Sequence, residues 1–329
     1  MRDGEALRVA VIGGGENAEH DVSLASAAAV VRAVRALGHD AVPVTIDRSG
    51  AWRDPEGFAT SAAEAVALLA TCDVAFPVLH GENGEDGSIA GLLTMAGVRF
   101  AGSPVGAGAV GMDKWVTKLV AEALGVRTAS GRLLRSEGDA ASLALVPPLV
   151  VKPTTGGSSN GVSVVRESAA LVTAVGVALE AGRTALVEEF VVGREVDIAL
   201  FRDSAGALRA GSTLEIGVAE GAVFGREQKY DGTASFTLPA RITAGEHAEI
   251  ESAARALYDA LGCAGVARFD FFVTAAGVVL NEVNTTPGFT EASQVPRMYA
   301  SVGLDYAALV GALLDAALGG NDPSSVATR

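Results

Sequence analysis

Apolar and polar stretches alternate along the first hundred residues in a way that predicts strands and helices in turn. Three short apolar segments have the length and composition of buried strands: 8–12, 41–46 and 74–79. An alanine-rich helix is predicted over 23–37, ended by Gly38, and a second helix over 64–69. Strands and helices at this spacing indicate a parallel sheet, whose ligands collect at the carboxyl ends of the strands.

The pattern in the rest of the chain predicts short strands with fewer helices. Helices are expected over 114–124 and 306–318, and strands over 149–152, 162–165, 186–192, 195–201, 267–273 and 278–283. A glycine-rich loop at 153–161 joins two of these strands, and residues 220–239 have the weak periodicity of a long functional loop. The chain is therefore predicted to be α/β, and α+β in part.

Composition narrows the class of protein. The 329 residues carry a net charge of −14, with 49% hydrophobic residues and 5% aromatic residues, which is typical of a globular chain with a core of Ala, Val and Leu. A nucleic-acid partner is not expected, because binding a nucleic-acid backbone favours a basic face and base stacking requires aromatic rings.

Cysteine usage and the absence of long apolar segments favour a cytoplasmic protein. The two cysteines, Cys72 and Cys263, are far apart, which excludes a disulfide framework and a CxxC motif and suggests two small buried side chains. No signal-type segment opens the chain, and no apolar run reaches the roughly 18 residues of a membrane span.

Oxygen ligands occur on two consecutive predicted strands near the C-terminus. Glu282 and Asn284 share a strand face, because side chains alternate with a period of two. Asp270 reaches that face if its strand pairs with theirs through a turn at 275–277. Because unpaired carboxylates among Phe, Val and Leu are costly, a Mg²⁺ site is favoured over a solvated acidic face.

Two glycine-rich loops offer weaker signals. Lys152 ends a buried strand and is followed by glycines and hydroxyls that can bind phosphate oxygens, although no P-loop ending is present. The loop after the first strand fails the dinucleotide pattern at Ala18, and its acidic residues, Glu19 above all, suit an ammonium group. His80 is the best histidine candidate, because it ends a strand.

Eight blocks, in order along nearly the whole chain, resemble the D-alanine–D-alanine ligases of the ATP-grasp superfamily. These blocks are GGGENAEHDVSL (13–24), HGENGEDGSIAGLL (80–93), MDKWVTK (112–118), VVKPTTGGSSNGVSVV (150–165), EEFVVGREV (188–196), QKYD (228–231), ARFDFF (267–272) and NEVNTTPGFTEASQVPRM (281–298). The resemblance implies an ATP-grasp fold of three α/β domains, with ATP held between the central and C-terminal domains. The implied boundaries are 1–105, 106–192 and 193–320, followed by a frayed tail at 321–329.

The resemblance also implies an activity. The carboxylate of one D-alanine would attack the γ-phosphate of ATP to form an acyl phosphate and ADP, and the amine of a second D-alanine would then displace phosphate. The dipeptide would serve peptidoglycan synthesis. Mg²⁺, or Mn²⁺ in its place, would be required, and the family is usually dimeric.

Site roles follow from the resemblance position by position. The implied ATP-binding residues are Lys114, Lys152, Ser159, Glu188, Glu189, Phe190, Val191, Glu195 and Lys229, and the implied metal ligands are Asp270, Glu282 and Asn284. The implied substrate-binding residues are Glu19, His80, Arg268, Ser293 and Gln294. The implied catalytic residues are Glu19, Ser158, Tyr230, Arg268 and Gly288, where Arg268 and the Gly288 N–H would steady the tetrahedral oxyanion.

Three departures from the family pattern leave the second substrate open. Gly225 and Arg226 replace aromatic and acidic residues, Gly156 stands where some relatives have an acid, and Gln294 places an amide where an apolar side chain is common. One alternative is a paralogous ligase that joins D-alanine to another amino or hydroxy acid. A second is a nucleotide-binding regulator without catalysis, which the presence of Arg268 and the three metal ligands disfavours.

Overall fold

A computed structural model of the protein describes residues 6–140, 143, 145–217 and 235–320. The described strands form three sheets. The strands are β1 (Arg8–Gly14), β2 (Asp40–Ile46), β3 (Trp52–Arg53), β4 (Ala59–Thr60), β5 (Val74–Pro77), β6 (Gly131–Leu134), β7 (Leu149–Pro153), β8 (Ser163–Val165), β9 (Ala185–Glu189), β10 (Arg194–Arg202), β11 (Leu208–Ala210), β12 (Leu214–Gly217), β13 (Ser235–Thr237), β14 (Val266–Thr274) and β15 (Gly277–Asn284).

The helices lie between these strands and after them. They are α1 (His20–Ala36), α2 (Ala62–Leu69), α3 (Ser88–Met95), α4 (Val105–Met112), α5 (Lys114–Ala123), α6 (Glu137–Ala140), α7 (Leu171–Ala181), α8 (Ala244–Leu261), α9 (Gln294–Ala300) and α10 (Tyr306–Gly320). Helix α8 was missed from the sequence, although Thr243 and Glu246 form a capping box at its start. No described helix is long and apolar enough to span a bilayer.

The first sheet has the order β4-β3-β2-β1-β5, and its central strands β2, β1 and β5 are parallel, as predicted. Gly14 ends β1 at a φ of +93°, where a Cβ would overlap the Ile46 carbonyl oxygen, so the tight turn requires glycine. Helix α1 begins at His20, earlier than the predicted residue 23. The apolar pattern did not reveal this first turn, because it opens with the polar residues His20 and Asp21, of which His20 is nevertheless buried.

The second sheet has the order β6-β9-β7-β8 and is antiparallel, with α7 packed on it. Strand β9 ends at Glu189, so the predicted strand over 186–192 is too long. Leu149, the first residue of β7, pairs with Glu189 at the end of β9, and Pro147 and Pro148 precede Leu149. Proline has no N–H to continue the ladder, so residues 190–192 lie outside the sheet.

The third sheet has the order β13-β12-β10-β14-β15, with β11 also on β10, and all its pairs are antiparallel. Strand β13 falls in the part of the predicted 220–239 loop that the structure describes. Helix α10 packs against α1 and β5, so Leu309 and Leu313 share a core with Val9 and Phe76 of the first sheet. This packing brings the first and third sheets to either side of one cavity.

Candidate active site

A cavity of about 690 Å³ opens where the three sheets meet. Its wall includes residues of the loops after β1 and β5, of the β7–β8 loop, and of β10, β14 and β15. Glu19, His80, Lys114, Ser158, Glu195, Arg268, Asp270, Glu282, Asn284, Gly288, Ser293 and Gln294 all line it. Residues from seven separate sequence blocks therefore converge on one space.

The predicted oxygen ligands lie on the β14–β15 hairpin. Asp270 pairs with Glu282 across the two strands, and Arg268 pairs with Asn284. The strands close through the turn expected at 275–277, which confirms the predicted pairing. Asp197 of β10 lies opposite Asp270 on its other side, so Asp197, Asp270 and Glu282 form a row across three strands.

Arg268 lies among these carboxylates. Its Nε and Nη2 donate to the two Asp270 carboxylate oxygens, each at 2.7 Å, and its Nη1 donates to Gln294 Oε1 at 2.8 Å. Burial opposes the charge, but Asp270, followed by Asp197 and Glu282, raises the pKa of the guanidinium well above its ordinary value. Arg268 is therefore a permanent cation on the cavity wall.

The donor set suits a hard divalent cation. Asp270 and Glu282 supply carboxylate oxygens and Asn284 an amide oxygen, and each Asp270 oxygen keeps a lone pair beyond the one that Arg268 uses. Among the described residues, no group of three or more His, Cys, Asp and Glu side chains is arranged as a metal site. The predicted set has only two such residues, because its third ligand is an amide.

Three lysines, on α5 and β7, lie close to Glu282 of β15 or to Glu188 of β9. Lys114 Nζ is 3.5 Å from Glu282 Oε2 and donates to the Gly156 carbonyl oxygen at 2.9 Å. Lys152 Nζ lies 2.5 Å from Glu188 Oε1, and Lys118 Nζ lies 2.8 Å from Glu188 Oε2. All three side chains of this Lys118–Glu188–Lys152 triad are buried.

Lys118 was missed among the candidate residues. It follows Lys114 by one helical turn in α5, a spacing that puts both ammonium groups on one helix face. Burial lowers the pKa of Lys118, although Glu188 acts in the opposite direction. Burial likewise opposes the charge of Glu188, but Lys152 and then Lys118 lower its pKa overall.

The predicted adenine-binding segment divides between two sides of the second sheet. Glu188 points inward to the lysines, whereas Glu189 is exposed and accepts from the Ser130 N–H at 3.0 Å, as strand alternation requires. Phe190 donates its N–H to the Pro148 carbonyl oxygen, and Val191 lines a separate open cavity with Glu189. Only Glu188 of these side chains is directed toward Lys152.

The opposite end of the cavity holds Glu19 and the β7–β8 loop. Ser158 donates its hydroxyl to Glu19 Oε1 at 2.6 Å, and Ser158 and Ser159 have φ values of +52° and +57°. A Cβ on Gly157 would lie 3.0 Å from Glu19 Oε2, so glycine permits this close approach. Ser158 and Glu19, two of the implied catalytic residues, are therefore hydrogen-bonded to each other.

His80 connects two parts of the cavity wall. Its Nδ1 lies 2.8 Å from the Thr286 carbonyl oxygen and its Nε2 lies 3.1 Å from Ser26 Oγ. Burial lowers its pKa, which favours the neutral ring that donates to Thr286 and accepts from Ser26. Nearby Glu85, missed from the sequence, has its pKa raised to about 8 by burial and then by Glu19.

Ser293 and Gln294 lie where the cavity meets α9. Ser293 precedes the helix, and its hydroxyl accepts from the Thr290 N–H at 3.0 Å. Gln294 contacts Arg268, as described above, and Asp197 through its Nε2 at 3.1 Å. Lys229, Tyr230 and the Gly225–Arg226 departure lie outside the described residues.

The fold and the cavity define an ATP-dependent ligase of the ATP-grasp class. The chain matches the family described as D-ala D-ala ligase N-terminus over residues 8–67 and 56–103, and D-ala D-ala ligase C-terminus over residues 130–315. The chain belongs to the D-alanine–D-alanine ligase family.

Individual relatives agree with this assignment. The D-alanine–D-alanine ligases of Rhodococcus jostii and Nocardia farcinica are 39% and 38% identical, over 94% and 95% of this chain and 96% and 97% of theirs. The solved VanG D-Ala:D-Ser ligase of Enterococcus faecalis is 31% identical, with a TM-score of 0.81 over 95% of this chain and all of that one. The D-alanine-D-alanine ligase of Coxiella burnetii is 28% identical, with a TM-score of 0.82 over 98% and 97%.

Proposed function

We propose that this cavity joins two D-alanines to D-alanyl-D-alanine, with ATP converted to ADP and phosphate, for peptidoglycan precursor synthesis. The observation that carries the proposal is the placement of Arg268 and the Asp270–Glu282 pair on one cavity wall with Lys114. This arrangement places cations and metal-ligating oxygens around one space, as phosphoryl transfer to a carboxylate requires.

The first half-reaction transfers a phosphoryl group. Lys114 and Lys152 bind the α- and β-phosphates, and Glu195 accepts hydrogen bonds from the ribose hydroxyls. Asp270, Glu282 and Asn284 hold Mg²⁺, or Mn²⁺, which offsets phosphate charge when bound. A D-alanine carboxylate oxygen forms the new bond to the γ-phosphorus as the bond to the ADP oxygen breaks. The remaining implied contacts are those of Ser159, Glu188, Glu189, Phe190 and Val191 with the nucleotide and of Lys229 with the γ-phosphate.

The second half-reaction forms the peptide bond. The Glu19 carboxylate, which Ser158 orients, binds the ammonium group of the first D-alanine. Neutral His80 lies near the carboxylate of the same substrate. The deprotonated second amine attacks the acyl carbon, and Arg268 with the Gly288 N–H stabilises the tetrahedral oxyanion until phosphate leaves. Ser293 with Arg268 receives the second carboxylate, and the presence of Tyr230, by the family resemblance, favours an amine as the nucleophile.

A coupled product analysis tests the proposal. The chain is incubated with ATP, Mg²⁺ and D-alanine, and dipeptide and nucleotide products are identified together by mass spectrometry. Equal amounts of D-alanyl-D-alanine and ADP are expected. Formation of AMP would contradict the acyl-phosphate mechanism, and absence of ATP turnover would favour the regulator alternative.

The similarity to a D-Ala:D-Ser ligase makes the second substrate a necessary part of this test. D-alanine is offered with D-serine or D-lactate as competitor across a pH series. An amine nucleophile must lose a proton before attack, whereas a hydroxy acid does not pass through that titration. We expect D-alanyl-D-alanine to dominate, with a yield that rises with pH as the free amine forms.

The cellular setting and assembly form a separate part of the proposal. We expect a cytoplasmic homodimer, because the proposed reaction consumes ATP and the resembling family is usually dimeric. Light scattering on the purified chain should give twice the 33.2 kDa chain mass. A mass of one chain at all concentrations would contradict the dimer.

A further inference from the structure

Arg268 is held from two sides, and only one of them belongs to the predicted metal ligands. Asp270 binds its Nε and Nη2, while Nη1 donates to the Gln294 amide. Gln294 in turn donates from Nε2 to Asp197 Oδ2 at 3.1 Å, and the same Asp197 oxygen lies 3.6 Å from Arg268 Nε. The second side is therefore a Gln294–Asp197 pair.

The position of Asp197 sets its role apart from that of a ligand. Its side chain is 0% exposed and does not line the cavity, whereas the Arg268 side chain retains 12% exposure at the wall. Register places Asp197 directly opposite Asp270 on the neighbouring strand. Asp197 thus supplies negative charge behind Arg268 without contact with the reacting space.

The chemistry of the pair determines the orientation of the amide. A guanidinium can only donate and a carboxylate can only accept, so Gln294 must turn its oxygen to Arg268 and its nitrogen to Asp197. The apolar side chain that is common at this position in the resembling family could make neither bond. The Gln294 amide oxygen thus accepts from Arg268, and the amide nitrogen donates to Asp197.

We propose that Asp197 and Gln294 are positioning residues that hold the Arg268 guanidinium in place when Asp270 engages the cation. This proposal rests on the proposed function, in which Arg268 stabilises the tetrahedral oxyanion. Asp270 would share its carboxylate oxygens between Arg268 and a bound divalent cation, which would draw electron density from those oxygens and weaken the two bonds to Arg268. Gln294 and Asp197 keep the guanidinium fixed, and Gln294 therefore acts on Arg268 instead of selecting a polar second substrate.

This role is tested by measuring kcat and the KM for ATP in Gln294→Met, with Tyr299→Phe as the matched control. Tyr299 also ties α9 to β10, through a 3.1 Å bond to the Ala199 carbonyl oxygen, but it does not touch Arg268. We expect Gln294→Met to lower kcat for dipeptide formation about tenfold with the KM for ATP unchanged, and Tyr299→Phe to stay within about twofold. Asp197→Asn should lower kcat at least as far.

A double-mutant cycle asks whether Gln294 acts through Arg268. In an Arg268→Lys background, where the planar fork is gone, Gln294→Met should change kcat by less than about twofold. A tenfold loss that persists in that background, or equal losses in Gln294→Met and Tyr299→Phe, would overturn the proposal.

A spectroscopic readout separates this proposal from the proposed function. In ¹⁵N-arginine-labelled protein without substrates, rotation of the Arg268 Nη groups should be slow in the unsubstituted chain and in Tyr299→Phe, and faster in Gln294→Met. If the chain makes no dipeptide but this pattern holds, the proposed function fails and the positioning pair stands. If dipeptide forms and Nη rotation is equally fast in all three proteins, the pair is refuted alone.

Discussion

The Lys118–Glu188–Lys152 triad makes an asymmetric prediction about stability. Two buried ammonium groups share one buried carboxylate, at 2.8 Å and 2.5 Å. Glu188→Gln removes the only negative charge of the triad, whereas Lys118→Met leaves Glu188 paired with Lys152. The two substitutions should therefore have very different effects on the free energy of unfolding.

The magnitudes follow from the charges left behind. Breaking a buried pair by removing one partner costs about 3–5 kcal/mol. An independent ceiling of about 5 kcal/mol comes from neutralising one lysine at pH 7, some 3.5 units below its ordinary pKa, at about 1.36 kcal/mol per unit. Glu188→Gln should thus lose about 3–5 kcal/mol.

Lys118→Met should leave the free energy of unfolding nearly unchanged, because the charge of Lys118 does not favour folding. Burial lowers the pKa of Lys118 in the folded state below its unfolded value, so protonated Lys118 costs folding free energy at pH 7. Removing the charge removes that cost, and the Met side chain fills the same buried space. We expect a change within about 1 kcal/mol of the unsubstituted chain.

The same substitution should weaken ATP binding. The triad carries a net charge of +1, and Lys118→Met reduces it to zero. One unit charge at roughly 8 Å from a phosphate is worth about 2 kcal/mol at an effective dielectric constant near 20, or about 30-fold in Kd. Nucleotide affinity and stability should therefore separate in this variant.

Urea unfolding at pH 7 without nucleotide measures the stability difference. The chain has two tryptophans, and a Trp52→Phe background leaves Trp115 on α5, near Lys118, as the single fluorescent probe. Exposed Glu189, next to Glu188, supplies the matched control Glu189→Gln, which should move the free energy by at most about 0.5 kcal/mol. A loss in Lys118→Met as large as that in Glu188→Gln would refute the charge argument.

Other predictions concern the remaining titratable groups. The pKa of Glu85 is raised to about 8 from an ordinary 4.5, so the folded state binds the extra proton between these values and stability falls as pH rises from about 4.5 to 8. Glu85→Gln should flatten that slope in urea titrations of nucleotide-free protein at several pH values; an unchanged slope would contradict the assignment. Glu282→Ala should lower kcat at least about 100-fold with the fold intact by circular dichroism, and wild-type turnover would show that the metal ligands are wrong. Burial raises the pKa of Cys263 to about 12, so a thiol reagent at pH 8 should label it only after unfolding, and rapid native labelling would contradict its burial.

The pairing of Asp270 with Glu282, two of the proposed metal ligands, was predictable from sequence because it is local. Asp270 and Glu282 lie on consecutive strands joined by a short turn, so counting residues and applying strand alternation was enough to place them together. The spacing of Lys118 from Lys114 is also local, and it would have predicted that both lysines share one helix face. The start of α1 was mispredicted because its first residue, His20, is polar yet buried. The end of β9 was mispredicted because prolines limit its partner strand.

Asp197 could not be assigned in the same way. It belongs to a strand separated from β14 by other elements, and its place opposite Asp270 depends on how distant strands pair. A shift of one residue would turn Asp197 to the opposite face, and no local pattern specifies that register. The two-sided hold on Arg268 therefore emerged only in the folded chain.

By itself, the sequence determined the α/β class, the family, and the residue types that are proposed to bind a nucleotide and a hard cation. These properties depend on short motifs and on periodicities of neighbouring residues, which can be recognised without knowledge of the fold. Only the tertiary structure decided which buried charges compensate one another: Glu188 between two lysines, and Arg268 between Asp270 and the Gln294–Asp197 pair. The physical reason is that electrostatic compensation requires distances of a few ångströms, and packing of distant segments alone sets those distances.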